Sequence, residues 1–293
     1  MNLWQQYLQP RSLPEAIQAL MSAPRPAIPI AGGTDLLLDI EQGRHSPVHT
    51  LIDLTGIPEL IAIEERDGRL FIGSAAPLNS IARHPLVAIH ATALVEACDL
   101  VGGPQVRNVA TLGGNVAHAL PAADGTIALL ALDAEAEIAA STGQRQVPLS
   151  DLFLGVGKSS LKRGEELLVG FYLPMLKSNS SSAFKRIMRP QGVALPIINL
   201  AIRLSRKADA IAEIRIAVGP GAAIPWRALQ AEEALTGKEC DERSIDFAQE
   251  ALLAHVGFRS SPRRATSEYR RHLVASLFRE TLQVAWQWAG QTL

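Results

Sequence analysis

The run Lys177-Ser178-Asn179-Ser180-Ser181-Ser182 contains no apolar side chain. No hydrophobic face can pass through such a stretch, so the chain is expected to bury separate cores on either side of it. A chain of 293 residues is long enough to build both. The expected boundaries are 1–177 for a first domain, itself in two parts at about 1–57 and 58–177, and 183–293 for a second.

Local patterns fill in both parts. Ser12 and Glu15 form an S-x-x-E capping box, Pro14 falls in the first turn, and Ala16, Ile17 and Leu20 make one apolar face, which predicts a helix. Residues 27–31 read as a short strand running into Gly32-Gly33-Thr34-Asp35, where Thr34 and Asp35 are N-cap types for the leucine-rich turn that follows. A strand at 70–73 and helices at 78–81, 87–98 and 126–132 come next, with a glycine-punctuated loop at 102–114. Segments 134–140 and 146–149 form a hairpin around Ser141-Thr142-Gly143, and 167–173 is another strand. Beyond the serine run, strands are expected at 184–188, 197–204 and 211–218. The last alternates Ile214, Ile216 and Val218 with Arg215 and Ala217, as in a sheet with one face covered. Helices at 226–235, 245–255 and 267–289 then complete a small α+β domain with helices on one side of its sheet.

Composition excludes several function classes. A net charge of −1 offers no electrostatic case for nucleic acid or an anionic membrane surface. The longest apolar runs, such as 192–202, are about half the roughly 20 residues of a membrane span. The start MNLWQQYLQPRSL has neither a basic segment nor an apolar signal core, so the cytoplasm is the expected location. Cys98 and Cys240 are the only cysteines. A thiolate-held iron–sulfur cluster takes about four ligands, so none is expected here, and both read as small buried hydrophobes. No metal site is expected either: His45 and His49 have helical spacing, but Pro47 interrupts the helix that would align them. Gly157-Lys158-Ser159 resembles the end of a phosphate-binding P-loop, yet Leu152 stands where the motif needs glycine. With no serine in a nucleophile elbow, no catalytic residue is assigned. The four tryptophans read as core or subunit contact, and Trp286 and Trp288, close to the end of an exposed helix, are candidates for subunit contact.

Two segments carry ligand-binding chemistry. The first is Pro29-Ile30-Ala31-Gly32-Gly33-Thr34-Asp35, and the second is Arg107-Asn108-Val109-Ala110-Thr111-Leu112-Gly113-Gly114-Asn115, continuing to Pro121-Ala122-Ala123-Asp124. Each pairs glycines with hydroxyl or amide side chains, and a backbone without Cβ atoms lets N–H groups close around a phosphate. Either pair alone is more often a plain turn. Asp124 taken alone is more often the N-cap of the helix starting near Thr126, and its other reading is as an acceptor for a ribitol or ribose hydroxyl.

The order PIAGGTDLL, then RNVATLGGNVAHALPAADG about eighty residues later, resembles the paired flavin-binding signature of the molybdenum hydroxylase flavoproteins. That group includes the FAD subunit of bacterial xanthine dehydrogenases and the medium subunit of aerobic carbon monoxide dehydrogenases. The segments GVGKSSLKRGEELL, AFKRIMR and SEYRRHL are similar to further family segments in the same order, so the resemblance spans almost the whole chain.

The resemblance implies an α+β fold: a two-part FAD-binding domain of the PCMH/vanillyl-alcohol-oxidase type, followed by the small α+β domain. It implies FAD as cofactor, with Ile30, Ala31, Gly32, Gly33, Thr34 and Asp35 around its pyrophosphate. Thr111, Leu112, Gly113, Gly114 and Asn115 hold the other side, Ala123 and Asp124 meet the hydroxylated chain, and Lys185 lies near the isoalloxazine. It implies a heteromeric oxidoreductase with a molybdenum-cofactor large subunit and a [2Fe–2S] small subunit, passing electrons to NAD or oxygen. Thr34 stands where carbon monoxide dehydrogenases commonly have histidine, which favours a xanthine dehydrogenase-like or aromatic-acyl-type member. The stretch Pro190-Gln191-Gly192-Val193 departs from the family's usual segment. Two other readings remain at this point: a stand-alone flavin oxidoreductase, and a structural subunit that has lost its cofactor.

Overall fold

The computed structural model describes residues 3–188, 195–262 and 264–291, so the stretch Pro190-Gln191-Gly192-Val193 lies outside the described residues. Its first part is a three-stranded parallel sheet of β1 (Gln6–Leu8), β2 (Ala27–Ile30) and β3 (Thr50–Asp53) in the order β1-β3-β2. Around it stand α1 (Leu13–Ser22), α2 (Leu36–Glu41) and α3 (Pro58–Ile61). The α1 cap differs from the expected box by one residue. Ser12 Oγ accepts from the Glu15 N–H at 3.4 Å, but the Glu15 carboxylate reaches back to Arg11 N–H at 2.8 Å rather than to Ser12. At the carboxyl end of β3, Asp53 accepts from Thr55 N–H, the Thr55 hydroxyl, the Tyr7 hydroxyl and Gln9. Burial works against the ionised Asp53, yet these bonds hold it below the usual carboxylate range.

The second part is an antiparallel sheet built from β4 (Ile63–Arg66), β5 (Arg69–Gly73), β6 (Glu135–Ala140) and β7 (Gly143–Pro148). A small hairpin of β8 (Phe153–Gly155) and β9 (Lys158–Ser159) precedes its central strand, β10 (Glu166–Pro174), and the sheet order is β4-β5-β10-β6-β7. Six short helices cover it: α4 (Leu78–Ala82), α5 (Pro85–His90), α6 (Thr92–Leu100), α7 (Pro104–Arg107), α8 (Leu112–Ala117) and α9 (Asp124–Ala131). The helix expected at 87–98 is broken at Ala91, whose φ of −146° and ψ of 50° are not helical, giving α5 and α6. Strand alternation sends Leu70, Ile72, Ala136 and Ile138 into the helix-covered core. It sends Phe71, Ala139, Val169 and Tyr172 to the face that packs on α1.

The C-terminal part is an antiparallel sheet of β11 (Ser180–Met188), β12 (Pro196–Lys207), β13 (Ala210–Gly219) and β14 (Trp226–Arg227), in that order. It is followed by α10 (Leu229–Leu235), α11 (Glu242–His255) and α12 (Ser267–Ala289). Three expectations change here. Trp226 and Arg227 pair with Val218 and Ala217 as a strand, so the helix begins only at Leu229. The sheet has both faces covered: α10, α11 and α12 pack on Ile214, Ile216 and Val218, while Ala201 and Ala217 join the core beneath α6 and α9. The serine run is partly strand. Ser182 Oγ accepts from Ala93 N–H at 3.0 Å and the Ser181 hydroxyl donates to Ala285 O at 2.5 Å, so the two residues tie into α6 and α12. Trp286 and Trp288, expected at a subunit contact, instead pack partly buried against this domain's own core, with the Arg206 guanidinium 4.0 Å from the Trp286 ring centroid. Among the described residues no helix is long and apolar enough to cross a membrane.

Candidate functional site

The first glycine segment begins where β2 ends, with Ile30 paired to Asp53 of β3. Gly33 takes the left-handed conformation at φ +67°, turning the chain from the strand into α2. Gly32 has a different reason to lack a side chain. A Cβ there would lie 2.1 Å from the Val109 carbonyl oxygen and 2.8 Å from Ala110 Cα, so the two glycine segments meet backbone to backbone. Asp35 precedes α2 without capping it by a side-chain bond. Among the described residues, no protein acceptor takes the backbone N–H groups of Gly32, Gly33, Thr34 or Asp35. Consecutive unpaired amides of this kind form an anion-binding concavity.

The second segment is built otherwise. Thr111 caps α8, its Oγ1 accepting from Gly114 N–H at 3.1 Å. Gly113 N–H donates to Ser74 O at 2.8 Å, Leu112 N–H to Ala76 O and Asn115 N–H to Thr111 O. Its amides are therefore already used, which sequence could not show because Ser74 and Ala76 lie far along the chain. A Cβ at Gly113 would sit 2.5 Å from Ser74 O, whereas one at Gly114 would meet only Thr111 Oγ1, at 3.2 Å. Gly114 is the glycine of this segment that faces open space. Asn115 Oδ1 accepts from Thr126 N–H at 3.1 Å and from its hydroxyl, pinning α8 to α9 and leaving the Asn115 amide NH₂ free.

Ala123 is the N-cap of α9, and Asp124 is its first residue rather than the cap. Asp124 is buried, with Arg186 Nη1 at 2.5 Å and Asn199 Nδ2 at 2.6 Å from its oxygens. Burial raises its carboxyl, while the Arg186 charge and the bonds from Asn199 and Arg186 pull it back. A guanidinium offers only donors, so the oxygen it touches accepts. Among the described residues, Arg186 Nε and Asn199 Oδ1 are buried without partners. Neither residue was singled out in the sequence; the one available signal was that Arg186 adjoins Lys185. Lys185 itself, one position along β11, faces the other side of the sheet, with Glu280 of α12 at 4.0 Å.

His118 was also missed, although it falls one helical turn after Gly114. It closes α8, and its Nδ1 lies 3.6 Å from Asp35 Oδ2, linking the two segments. The bond from His118 lowers the Asp35 carboxyl despite burial. The same bond raises the His118 imidazole against burial, with help from the charges of Asp35 and Asp39. The Gly157-Lys158-Ser159 turn lies alongside, Gly157 N–H donating to Ala119 O at 3.0 Å. Both cysteine thiols are pushed up by burial, Cys240 to about 11.

The signature of the FAD binding domain in molybdopterin dehydrogenase matches residues 3–176, and that of the carbon monoxide dehydrogenase flavoprotein C-terminal domain matches 182–285. This chain is a member of the molybdopterin dehydrogenase flavoprotein family. Its cofactor is FAD, and it is an oxidoreductase subunit. Among its relatives, the xanthine dehydrogenase FAD-binding subunit of Escherichia coli O157:H7 is 32% identical over 289 residues, covering 98% of each chain. The carbon monoxide dehydrogenase medium chain of Hydrogenophaga pseudoflava is 28% identical, covering 96% of each. In three dimensions, carbon monoxide dehydrogenase from that organism superposes with a TM-score of 0.90 at 29% identity, covering 97% of both chains. Quinoline 2-oxidoreductase from Pseudomonas putida 86 gives 0.89 at 29% identity and 98% coverage. The family's α+β, two-part flavin fold with its C-terminal domain is the architecture described above. The residues present fit the flavin's diphosphate, because the unpaired amides of residues 32–35 open beside the Val109 backbone.

Proposed function

We propose that this flavoprotein is the electron-transfer subunit of a xanthine dehydrogenase-like molybdenum hydroxylase, working in the cytoplasm between a [2Fe–2S] small subunit and NAD or oxygen. A molybdenum-cofactor large subunit would oxidise the substrate. The observation that carries the reading is the row of free amides at Gly32, Gly33, Thr34 and Asp35. Those donors would take the diphosphate, with Ile30 and Ala31 setting where the row begins. Thr111, Leu112, Gly113 and Gly114 form the facing wall, and the free Asn115 amide is the donor that wall has left. Ala123 and Asp124 are assigned to the hydroxylated chain. The family resemblance alone assigns Lys185 to the ring region, since in this structure it points towards α12 with Glu280 at 4.0 Å.

When bound, FAD supplies redox chemistry that takes electrons singly and releases them in pairs. The chain's own task is binding and orientation, and no side chain is assigned to move a proton. Thr34 supports the xanthine dehydrogenase-like reading over the carbon monoxide type, since the resemblance places histidine there in the latter. Purification of the tagged chain from its host tests the proposal. The expected result is close to one FAD per protomer, with a larger and a smaller partner carrying molybdenum and iron. A yellow chain that purifies alone and turns over a small substrate would instead make it a free-standing oxidoreductase.

A further inference from the structure

We propose that His118 is a cofactor-anchoring residue: it joins the two glycine segments through Asp35 and supplies, in its protonated form, the positive charge that the FAD diphosphate needs. The inference rests on the FAD site proposed above and concerns how that site holds an anion.

The first segment offers amides but no cation, and it ends in a carboxylate, Asp35, whose side chain is 66% exposed. A diphosphate brought to those amides meets that carboxylate as a like charge. Of the neighbouring charges, Asp39 is already paired with Arg44, which also acts on Asp35. The hairpin that packs against Ala119 contributes Lys158, whose side chain is exposed to solvent. Asp124, on the following helix, is consumed by Arg186. That leaves His118, whose backbone N–H closes α8 on Gly114 O at 3.1 Å and whose imidazole Nδ1 reaches across to Asp35 at 3.6 Å, so a residue fixed in the second segment carries its side chain to the first. Protonated, it neutralises Asp35 and presents the site to an anion with no net repulsion; neutral, it leaves Asp35 uncompensated.

Linkage fixes the sign. The diphosphate adds negative charge, so the imidazole titrates at higher pH in the complex than in the free chain, and binding takes up a proton between those two values. Its free-chain value already lies above the ordinary value of about 6.5. Affinity for FAD therefore falls as pH rises, by up to about tenfold per pH unit, in a window above pH ~6.5.

The test is titration of the deflavinated full-length chain with FAD across pH 6 to 9, with calorimetry in two buffers of different ionisation heat to count protons. The wild type should show the falling limb and an uptake approaching one proton. His118→Gln should bind at every pH with the weak, flat affinity of the wild type at high pH, and Asp35→Asn should move the falling limb to lower pH. A wild-type affinity that is flat with pH and no proton uptake would overturn the role of His118 while leaving the FAD site intact. Undetectable FAD binding at every pH would instead sink the site itself.

Discussion

The glycines of the two segments look alike in the sequence and do different work. Gly32 and Gly113 lack side chains because another backbone occupies the space, at Val109 and Ser74 respectively. Gly33 needs its positive φ, and Gly114 alone looks outward. The pairs were therefore legible as special residues, but the reason for each was not, because it depends on partners distant in sequence. Opposite outcomes follow for two substitutions. Gly32→Ala should destabilise the fold by several kcal/mol, on the order of the largest single-residue effects, since backbone rather than a flexible tip must move. Gly114→Val should leave stability within about 1–2 kcal/mol yet lose flavin, because its branched side chain enters only the open side. Chemical denaturation and the absorbance of purified protein measure both. The same limit explains Asp124: its position at the start of α9 was legible, whereas its partners Arg186 and Asn199 come from strands beyond the serine run.

Among elements, those with long periodic patterns were readable and those held by neighbours were not. The spacing in 267–289 matches α12 from end to end, and the β6–β7 hairpin lies where its turn residues predict. The parallel strands β1 and β3 are only three and four residues long, too short to show a period, and they form because β2 and each other's edges are available. The serine run shows how far neighbours decide an element's start. Its polar residues gave no strand pattern before Phe184, yet β11 starts at Ser180 and Ser182 is fully buried because Ala93 N–H, in the first turn of α6, needs an acceptor there. Ser182→Ala should therefore cost about 1–3 kcal/mol through an unsatisfied buried donor, while Ser178→Ala, in the exposed turn, should be close to neutral. Urea midpoints at constant slope would separate the two.

At the scale of the molecule, the C-terminal sheet is the floor of the flavin domain as much as the core of its own. Asp133, left-handed at φ +53° after α9, receives Arg215 at 2.7 Å and Arg227 at 2.8 Å, with Arg203 at 3.7 Å. Arg203 and Arg215, the polar alternates of β12 and β13, face this aspartate rather than open water, which is why an apparently one-sided strand pattern belongs to a sheet covered on both faces. Asp133→Asn keeps the turn geometry and removes the charge. It should lower stability by about 1–3 kcal/mol and make the region before the serine run more accessible to protease than the helices after it. Intact stability with unchanged proteolysis would show that apolar contacts alone hold the sheet in place.

The central claim is that the diphosphate is held by the amides of one segment and merely walled by the other. Site-resolved amide hydrogen exchange, with and without FAD, tests it most directly. The amides of Gly32, Gly33, Thr34 and Asp35 should exchange freely in the flavin-free chain and become protected when FAD binds, with those of Gly113 and Gly114 protected in both states. Protection gained at Gly113 and Gly114, with the first segment unchanged, would contradict the account.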